Sequence, residues 1–169
     1  TKQIKDVKVT DYTMSCVSAG DFNVLHSAGS TASRSDFSPQ YTTLGAEPLK
    51  MSPKNGRPSD ISAYPFFNII TPDKKGVVVG IGWTGTWFAD IALKGKQGVN
   101  LASGMKTMDL HLYPSETIRT PLVAMLFWQG EDFMTGNNQF RRFILAHHTR
   151  KVDNEYAHSP LCGGFDWGD

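Results

Sequence analysis

The sequence predicts an all-β protein, an antiparallel β-sandwich with one helix near its C-terminal end. Apolar residues recur with a period of two along several segments, and turn residues separate those segments. Only one stretch has the spacing of an amphipathic helix. The chain has 169 residues, of which 40% are hydrophobic and 20% charged, so one compact domain with a substantial core is expected.

The first strand is expected near the N-terminus, where Val7 and Val9 alternate with polar neighbours as in an edge or half-buried strand. Residues 27–63 are rich in Ser, Thr, Pro and Gly, and Asn55-Gly56 is a turn signal. Because this stretch is long for one loop inside a compact domain, short strands are expected within it.

The middle of the chain has the clearest strand patterns. Residues 66–70 and 77–81 are β-prone runs joined by Thr-Pro-Asp-Lys-Lys-Gly, which predicts a hairpin. Residues 105–113 alternate again between apolar and polar positions. Residues 121–128 are apolar on both faces, which is typical of a central strand.

One helix is expected at residues 137–150, followed by a short tail. Asn137 or Asn138 can cap its start, and His148 and Arg150 suit its C-terminal end because they complement the helix dipole. The positions that follow the i, i+3, i+4, i+7 spacing are Phe140, Phe143, Ile144 and His147.

Charge and composition exclude several function classes. The net charge is +1 with no basic stripe, so nucleic acid is not expected as a partner. The longest apolar run, residues 122–128, is too short to span a bilayer, so no membrane partner is expected either. Cys16 and Cys162 have neither metal nor redox spacing, which favours buried or free thiols over a disulfide. No metal or cofactor is predicted, and periplasmic, extracellular and cytoplasmic locations all stay open.

The sequence contains no visible catalytic constellation. A retaining glycosidase needs two carboxylates about 5 Å apart, and no spacing in this chain forces two together. We interpret Glu131-Asp132 as a solvated turn. His147-His148 is interpreted as helix-end charge, since neighbours on a helix point in different directions. The carboxylates considered are Asp90, Asp109, Glu116, Glu131 and Asp132.

The most distinctive segment places Trp83 and Trp87 four residues apart among glycines and threonines. On a strand, both indoles would project from the same face and could form a flat platform for sugar rings. The alternatives are burial in the core, which is the commoner fate of large aromatic residues, and a domain interface. Core packing is favoured first, the interface second and sugar contact third.

Four stretches, in order along the chain from about residue 36 onward, resemble the N-terminal domain of glycoside hydrolase family thirty-six, the α-galactosidases or melibiases. Ser115 stands where that family usually has glycine before the glutamate. The four stretches are Gly56-Arg57-Pro58-Ser59 with the aromatic strand 64–69, the Gly-Trp-Thr-Gly-Thr-Trp segment at 82–87, Leu-Tyr-Pro-Ser-Glu at 112–116 with Arg119-Thr120-Pro121, and the helix at 140–148.

This resemblance implies a β-supersandwich that precedes a (β/α)8 barrel. Residues 1–158 would form the sandwich domain with its helix, and residues 159–169 would be the connection to the barrel or its first strand. The catalytic aspartates would lie in the barrel, so no catalytic residue is assigned to this chain. The implied partners are the chain's own barrel, α-galactoside saccharides and, in the full protein, a second copy in a homo-oligomer. The candidates for interface or carbohydrate contact are Trp83, Trp87, Arg57 and Trp167.

Three functions follow as hypotheses. The leading one is a non-catalytic accessory domain that packs on a glycosidase barrel and shapes its rim or its oligomer contacts. The second is an independent carbohydrate-binding module, which needs an exposed aromatic platform. The third is a mutarotase-like enzyme, because residues 64–68 resemble a strand of that family. Tyr64 stands where that family has its catalytic histidine, so the proton-transfer group is missing.

Overall fold

The computed structural model describes residues 2–30 and 32–157, and in them it confirms an antiparallel β-sandwich with one helix. The expected connection at 159–169, with Trp167 and Cys162, lies outside the described residues. The elements are β1 Lys2–Ser15, β2 Asn23–Ser27, β3 Pro39–Thr43, β4 Leu49–Met51, β5 Phe66–Ile70, β6 Lys75–Gly82, β7 Trp87–Leu93, β8 Gly98–Leu112, β9 Leu122–Gln129, α1 Met134–His147, β10 Lys151–Val152 and β11 Glu155–Tyr156.

Two antiparallel sheets form the two layers of the sandwich. One has four strands in the order β1-β8-β7-β4, and the other has five in the order β3-β2-β5-β6-β9. Alternate side chains of both sheets point into the space between them and form one core. Val24, Ile69 and Val79 come from the five-stranded sheet, while Trp87 and Leu101 come from the four-stranded sheet, and all are at most 2% exposed.

The strand predictions in the middle of the chain are confirmed. β5 and β6 form the expected hairpin, with Phe67 opposite Val79 and Ile69 opposite Val77. Residues 27–63 contain the short strands β3 and β4, as expected for a stretch too long to be a single loop. β1 is an edge strand, in agreement with its alternating pattern.

The prediction that residues 121–128 form a central strand is wrong. β9 pairs with β6 and lies at the edge of the five-stranded sheet. The second face of β9 is apolar because helix α1 covers it. Val123 and Met125 pack on the core between the sheets, whereas Ala124 and Leu126 pack in a second apolar cluster under the helix.

The helix exists but begins three residues earlier than predicted, at Met134. Asn137 and Asn138 therefore lie inside it and do not cap it. Instead, the Asp132 carboxylate accepts a hydrogen bond from the Met134 amide N–H at 2.9 Å, so the acidic group lies at the positive end of the helix dipole. The helix is followed by the two-stranded hairpin β10-β11, which the sequence pattern did not indicate.

Candidate functional site

Trp87 joins the core to the turn that contains Arg57. Its indole is fully buried between the sheets, and its Nε1–H donates a hydrogen bond to the Pro58 carbonyl oxygen at 2.7 Å. The Ser52 hydroxyl donates to the Trp87 carbonyl oxygen at 2.8 Å. Two of the four family-like stretches, the arginine turn and the tryptophan segment, are therefore in direct contact through one hydrogen bond.

Asp60 holds the other side of the same turn. Its side chain is 7% exposed, and its carboxylate accepts hydrogen bonds from the amide N–H groups of Lys54 at 2.6 Å and Ser62 at 2.8 Å. Burial by itself raises the pKa of Asp60, but hydrogen bonds from the surrounding backbone amides outweigh it, and the pKa lies below the ordinary 3.8. A charged Asp60 therefore stabilises the turn at neutral pH.

Arg57 and Trp83 differ in their exposure. Arg57 is exposed at the tip of the turn, next to Gly56 with its left-handed φ of 67°. Trp83 is half-buried at the margin of the core, and its indole folds over Gly85, where a Cβ would lie 3.0 Å from the indole Nε1. Arg57 is therefore an exposed side chain on a turn whose backbone is held by hydrogen bonds to Trp87 and Asp60.

The two tryptophans do not form the flat platform considered from the sequence. Residues 83–86 are not part of a strand but connect β6 in one sheet to β7 in the other, so the same-face rule of strands does not apply. Trp87 is 0% exposed, and a buried indole has no face open to a sugar. Its burial agrees with the core-packing interpretation.

Four of the carboxylates considered for acid chemistry form a hydrogen bond or an ion pair within the fold. They are Asp109, Glu116, Glu131 and Asp132. Asp109 accepts a hydrogen bond from Gln3 at 2.7 Å, and Glu131 pairs with Lys74. Glu131 and Asp132 lie in an exposed turn, as expected. Glu116 accepts the Tyr113 amide N–H at 2.9 Å.

No metal-like cluster and no spanning helix is found in the described part of the chain. Within residues 2–30 and 32–157, no three His, Cys, Asp or Glu side chains come together to hold a metal ion. No helix in those ranges is long and apolar enough to cross a membrane. Cys16 is a free thiol that donates to the Ser18 carbonyl oxygen at 2.9 Å, and burial raises its pKa.

Ser115 has the backbone conformation that glycine would have. Its φ is 73°, in the left-handed region that costs an L-residue about 1–2 kcal/mol. The turn closes with a hydrogen bond from the Glu116 amide N–H to the Tyr113 carbonyl oxygen at 3.1 Å. The departure from the family pattern thus keeps the glycine-type turn, but at a cost in backbone strain.

A buried polar network under helix α1 was missed at the level of sequence. The Asn68 side chain accepts a hydrogen bond from Trp128 Nε1 at 2.8 Å and donates to Asn137 Oδ1 at 3.0 Å and to the Phe133 carbonyl oxygen at 3.2 Å. Gly136 has no room for a Cβ beside the Trp128 ring, so the helix lies close against the sheet. An asparagine inside the apolar strand 66–70 was the available signal.

A row of aromatic side chains runs from the loop before β3 along helix α1, and we call it the aromatic ridge. Successive ring centroids lie 5.1–6.0 Å apart. Phe37 is 50% and Phe66 is 37% exposed, and the two histidines at the other end are exposed, whereas Phe140 between them is 7% exposed, so the two ends of the ridge face solvent. The members of the aromatic ridge are Phe37, Tyr64, Phe66, Phe140, Phe143, His147 and His148.

Two grooves flank the aromatic ridge. The larger, of about 590 Å³, lies along the helix and includes Arg141 and Arg142. The smaller, of about 240 Å³, lies on the strand side and includes His26. Exposed rings beside hollows and two arginines are the composition that protein interfaces favour over ordinary surface.

Comparison with solved structures identifies the fold. The GH36 alpha-galactosidases AgaA and AgaB from Geobacillus stearothermophilus match the chain with a TM-score of 0.55 each, at 17% and 18% identity. The matches cover 70% and 71% of this chain and 17% of each enzyme. The galactosidase domain of the alpha-galactosidase-sucrose kinase AgaSK matches with a TM-score of 0.53 at 19% identity, over 66% of this chain and 16% of that one.

The comparisons bear on fold alone. No protein-family model matches the sequence, and no curated protein is significantly similar to it. The chain spans only 16–17% of the length of the enzymes that it matches. The resemblance found in the sequence is confirmed as a shared fold with one part of GH36 α-galactosidases.

Proposed function

We propose that this chain is a non-catalytic accessory domain, the N-terminal supersandwich of a melibiase-type α-galactosidase. In this proposal the aromatic ridge packs against the catalytic barrel, and the Arg57 turn contributes to the barrel rim or to contacts with a second subunit. The observation that carries the proposal is the solvent-exposed aromatic ridge on a fold that occupies 17% of GH36 enzymes. The substrate of the whole protein would be an α-galactoside.

Phe37 is the strongest single argument for an interface at the aromatic ridge. Its backbone has φ 56°, a left-handed conformation in which a bulky residue is a true outlier. Its ring is nevertheless held half-exposed, against Tyr64 at 5.2 Å between centroids. Strained residues of this kind persist at binding sites, because function and not stability selects them.

The helix side of the ridge supplies the polar part of such an interface. Arg141 and Arg142 are exposed beside the larger groove, and neither forms an ion pair within the described residues. Arginine beside aromatic rings is enriched at the energetic centres of interfaces, where it reaches carboxylates and backbone carbonyls of the partner. The partner surface would therefore be apolar with carboxylates at its margin.

The two other functions have weaker support. A binding module built on the tryptophan pair needs exposed indoles, and Trp87 is buried. A mutarotase-like enzyme needs an acid and a base in one cavity. His26 shares the smaller groove with Tyr64, and burial lowers the pKa of His26, but no carboxylate lines that groove among the described residues.

Replacing Phe37 with Asn tests the interface. Asparagine tolerates the left-handed conformation better than phenylalanine does, so Phe37→Asn relieves backbone strain. This gain offsets the lost ring contact with Tyr64, and the melting temperature of the isolated chain should stay the same or rise slightly. In isothermal titration with the separately produced barrel, Phe37→Asn should weaken binding by at least about tenfold. Tyr113→Asn is the matched control, because Tyr113 is 61% exposed and directly follows β8, a strand of the other sheet.

Two results would count against the proposal. Equal affinities of the wild type and Phe37→Asn would show that the aromatic ridge is not the interface. Equal weakening by Phe37→Asn and Tyr113→Asn would show a general effect of removing exposed rings.

A further inference from the structure

A third groove lies on the outer face of the four-stranded sheet, the face that points away from the core. It has a volume of about 640 Å³ and crosses all four strands. Its lining includes Asp6 from β1, Lys106 from β8, Phe88 and Asp90 from β7, and Lys50 from β4. This volume falls within the range of small-ligand sites in proteins.

Strand alternation determines which side chains reach this groove. Trp87, Ala89 and Ile91 point into the core and are fully buried, so Phe88 and Asp90 between them point outward. Phe88 lies opposite Gly104 on β8, which has no side chain to cover the ring. The half-buried Phe88 ring therefore belongs to the lining of the groove, together with Met51, Pro53 and several polar side chains.

The β1 end of the groove has a strained backbone. Asp6 has φ 44° and Thr107 has φ 63°, and both residues line the groove. A register shift between Lys5 and Val7 marks a bulge at Asp6. The Asp6 carboxylate accepts a hydrogen bond from the Met108 amide N–H at 3.3 Å. Bulges are common on edge strands such as β1 and beside binding sites, where they re-aim side chains.

The groove has charged groups of both signs. Asp6 accepts a hydrogen bond from the Met108 amide N–H, and Lys50 and Asp90 lie directly opposite each other on β4 and β7. Lys50, Lys106 and Asp90 form no side-chain hydrogen bond or ion pair within the part of the chain that the structure describes. Lysine only donates hydrogen bonds and an ionised aspartate only accepts them. A ligand that satisfies both must donate and accept from neighbouring atoms, as vicinal hydroxyl groups do.

We propose that this groove binds a neutral saccharide. A pyranose has an apolar face that can stack on Phe88, and its hydroxyls can donate to Asp90 while accepting from Lys50 and Lys106. The lining holds Lys50, Lys54 and Lys106 with Asp6 and Asp90, so a phosphate or sulfate pairs with the lysines but is repelled by the two carboxylates, and an apolar ligand pairs with none of these charges. The groove lies on the opposite sheet from the aromatic ridge, and Lys54 at the start of the Arg57 turn is part of its lining.

Titration of the intact chain with sugars, followed by NMR chemical shifts, tests this site. The probes are galactose, raffinose and maltotriose as neutral sugars and inorganic sulfate as the anion. We expect saturable shifts with a Kd of about 1–10 mM for at least one sugar, the range that a few contacts support. Phe88→Ala and Asp90→Asn should each weaken that affinity by about tenfold. The matched control Tyr41→Ala, which removes an exposed ring from the other sheet, should leave it unchanged.

Several outcomes would overturn the saccharide site. These are the absence of saturable shifts with every sugar up to about 100 mM, sugar binding that Asp90→Asn leaves intact, and sulfate binding that competes with the sugar. If Phe88→Ala lowers the melting temperature markedly, Asp90→Asn decides alone, because it preserves the size of the side chain.

Discussion

Trp87→Phe separates the two roles that the structure assigns to this indole. Phenylalanine fills most of the same space in the core but cannot donate a hydrogen bond to the Pro58 carbonyl oxygen. The substitution therefore tests whether Trp87 holds the arginine turn as well as filling the core. Trp87→Ala removes both contributions and serves as the reference for full loss.

The expected magnitudes follow from the burial and the bond. Trp87 is 0% exposed, and truncating such a residue to alanine costs about 3–5 kcal/mol in free energy of unfolding. Trp87→Phe loses one hydrogen bond of 2.7 Å and part of the ring volume, for which we expect about 1–3 kcal/mol. Total stability is commonly about 5–15 kcal/mol, so the alanine variant can be largely unfolded and the phenylalanine variant should remain folded.

Urea denaturation and limited trypsin digestion together measure the two roles. The free energy of unfolding reports the core, and cleavage after Lys54, at the exposed start of the turn, reports how firmly the turn is held. Trp87→Phe should accelerate that cleavage before global unfolding, whereas the control Trp83→Phe should not. A Trp87→Ala variant within about 1 kcal/mol of the wild type would show that Trp87 does not stabilise the core, and a Trp87→Phe variant with unchanged cleavage would show that its hydrogen bond does not hold the turn.

Three further predictions concern Asp60, Ser115 and catalysis. The pKa of Asp60 is lower in the folded than in the unfolded chain, so its contribution to stability is present above about pH 5 and is lost as the pH falls through the folded pKa. Asp60→Asn should therefore be less stable at neutral pH and lose less stability on acidification, as urea melts from about pH 7 to pH 2 would measure; parallel pH profiles would contradict this. Ser115→Gly should raise the free energy of unfolding by up to about 1 kcal/mol, because it relieves a left-handed serine, and a loss of stability would disprove the strain. The chain alone should not hydrolyse an activated aryl α-galactoside above the buffer blank, and activity that survives purification but is lost in Glu116→Ala would contradict the non-catalytic assignment.

The sequence predicted the fold best in segments where the residue pattern alone favours the structure that the segment adopts in the folded chain. The hairpin at residues 66–82 has a turn between two β-prone runs, and each local signal matches the fold. The arginine turn and the tryptophan segment were found as separate motifs. Their contact through Trp87 and Pro58 spans 29 residues, and nothing in the spacing indicated it.

The errors come from tertiary contacts that a single sequence does not reveal. Residues 121–128 are apolar on both faces because the core lies against one face and helix α1 covers the other. A central strand has the same apolar pattern, so the sequence alone could not distinguish the two positions. The helix start was predicted at Asn137, since asparagine favours the N-cap position. In the structure the Asn137 side chain instead accepts a hydrogen bond from the buried Asn68. The outer groove went unnoticed because its lysines and carboxylates are far apart along the chain.

We have proposed that this chain is the accessory domain of a larger α-galactosidase-like enzyme. The most direct measurement is the coding sequence downstream of the Asp169 codon. We expect an in-frame continuation that encodes a (β/α)8 barrel with two aspartates at the C-terminal ends of its strands. A stop codon directly after Asp169, or a continuation that encodes an unrelated fold, would contradict it.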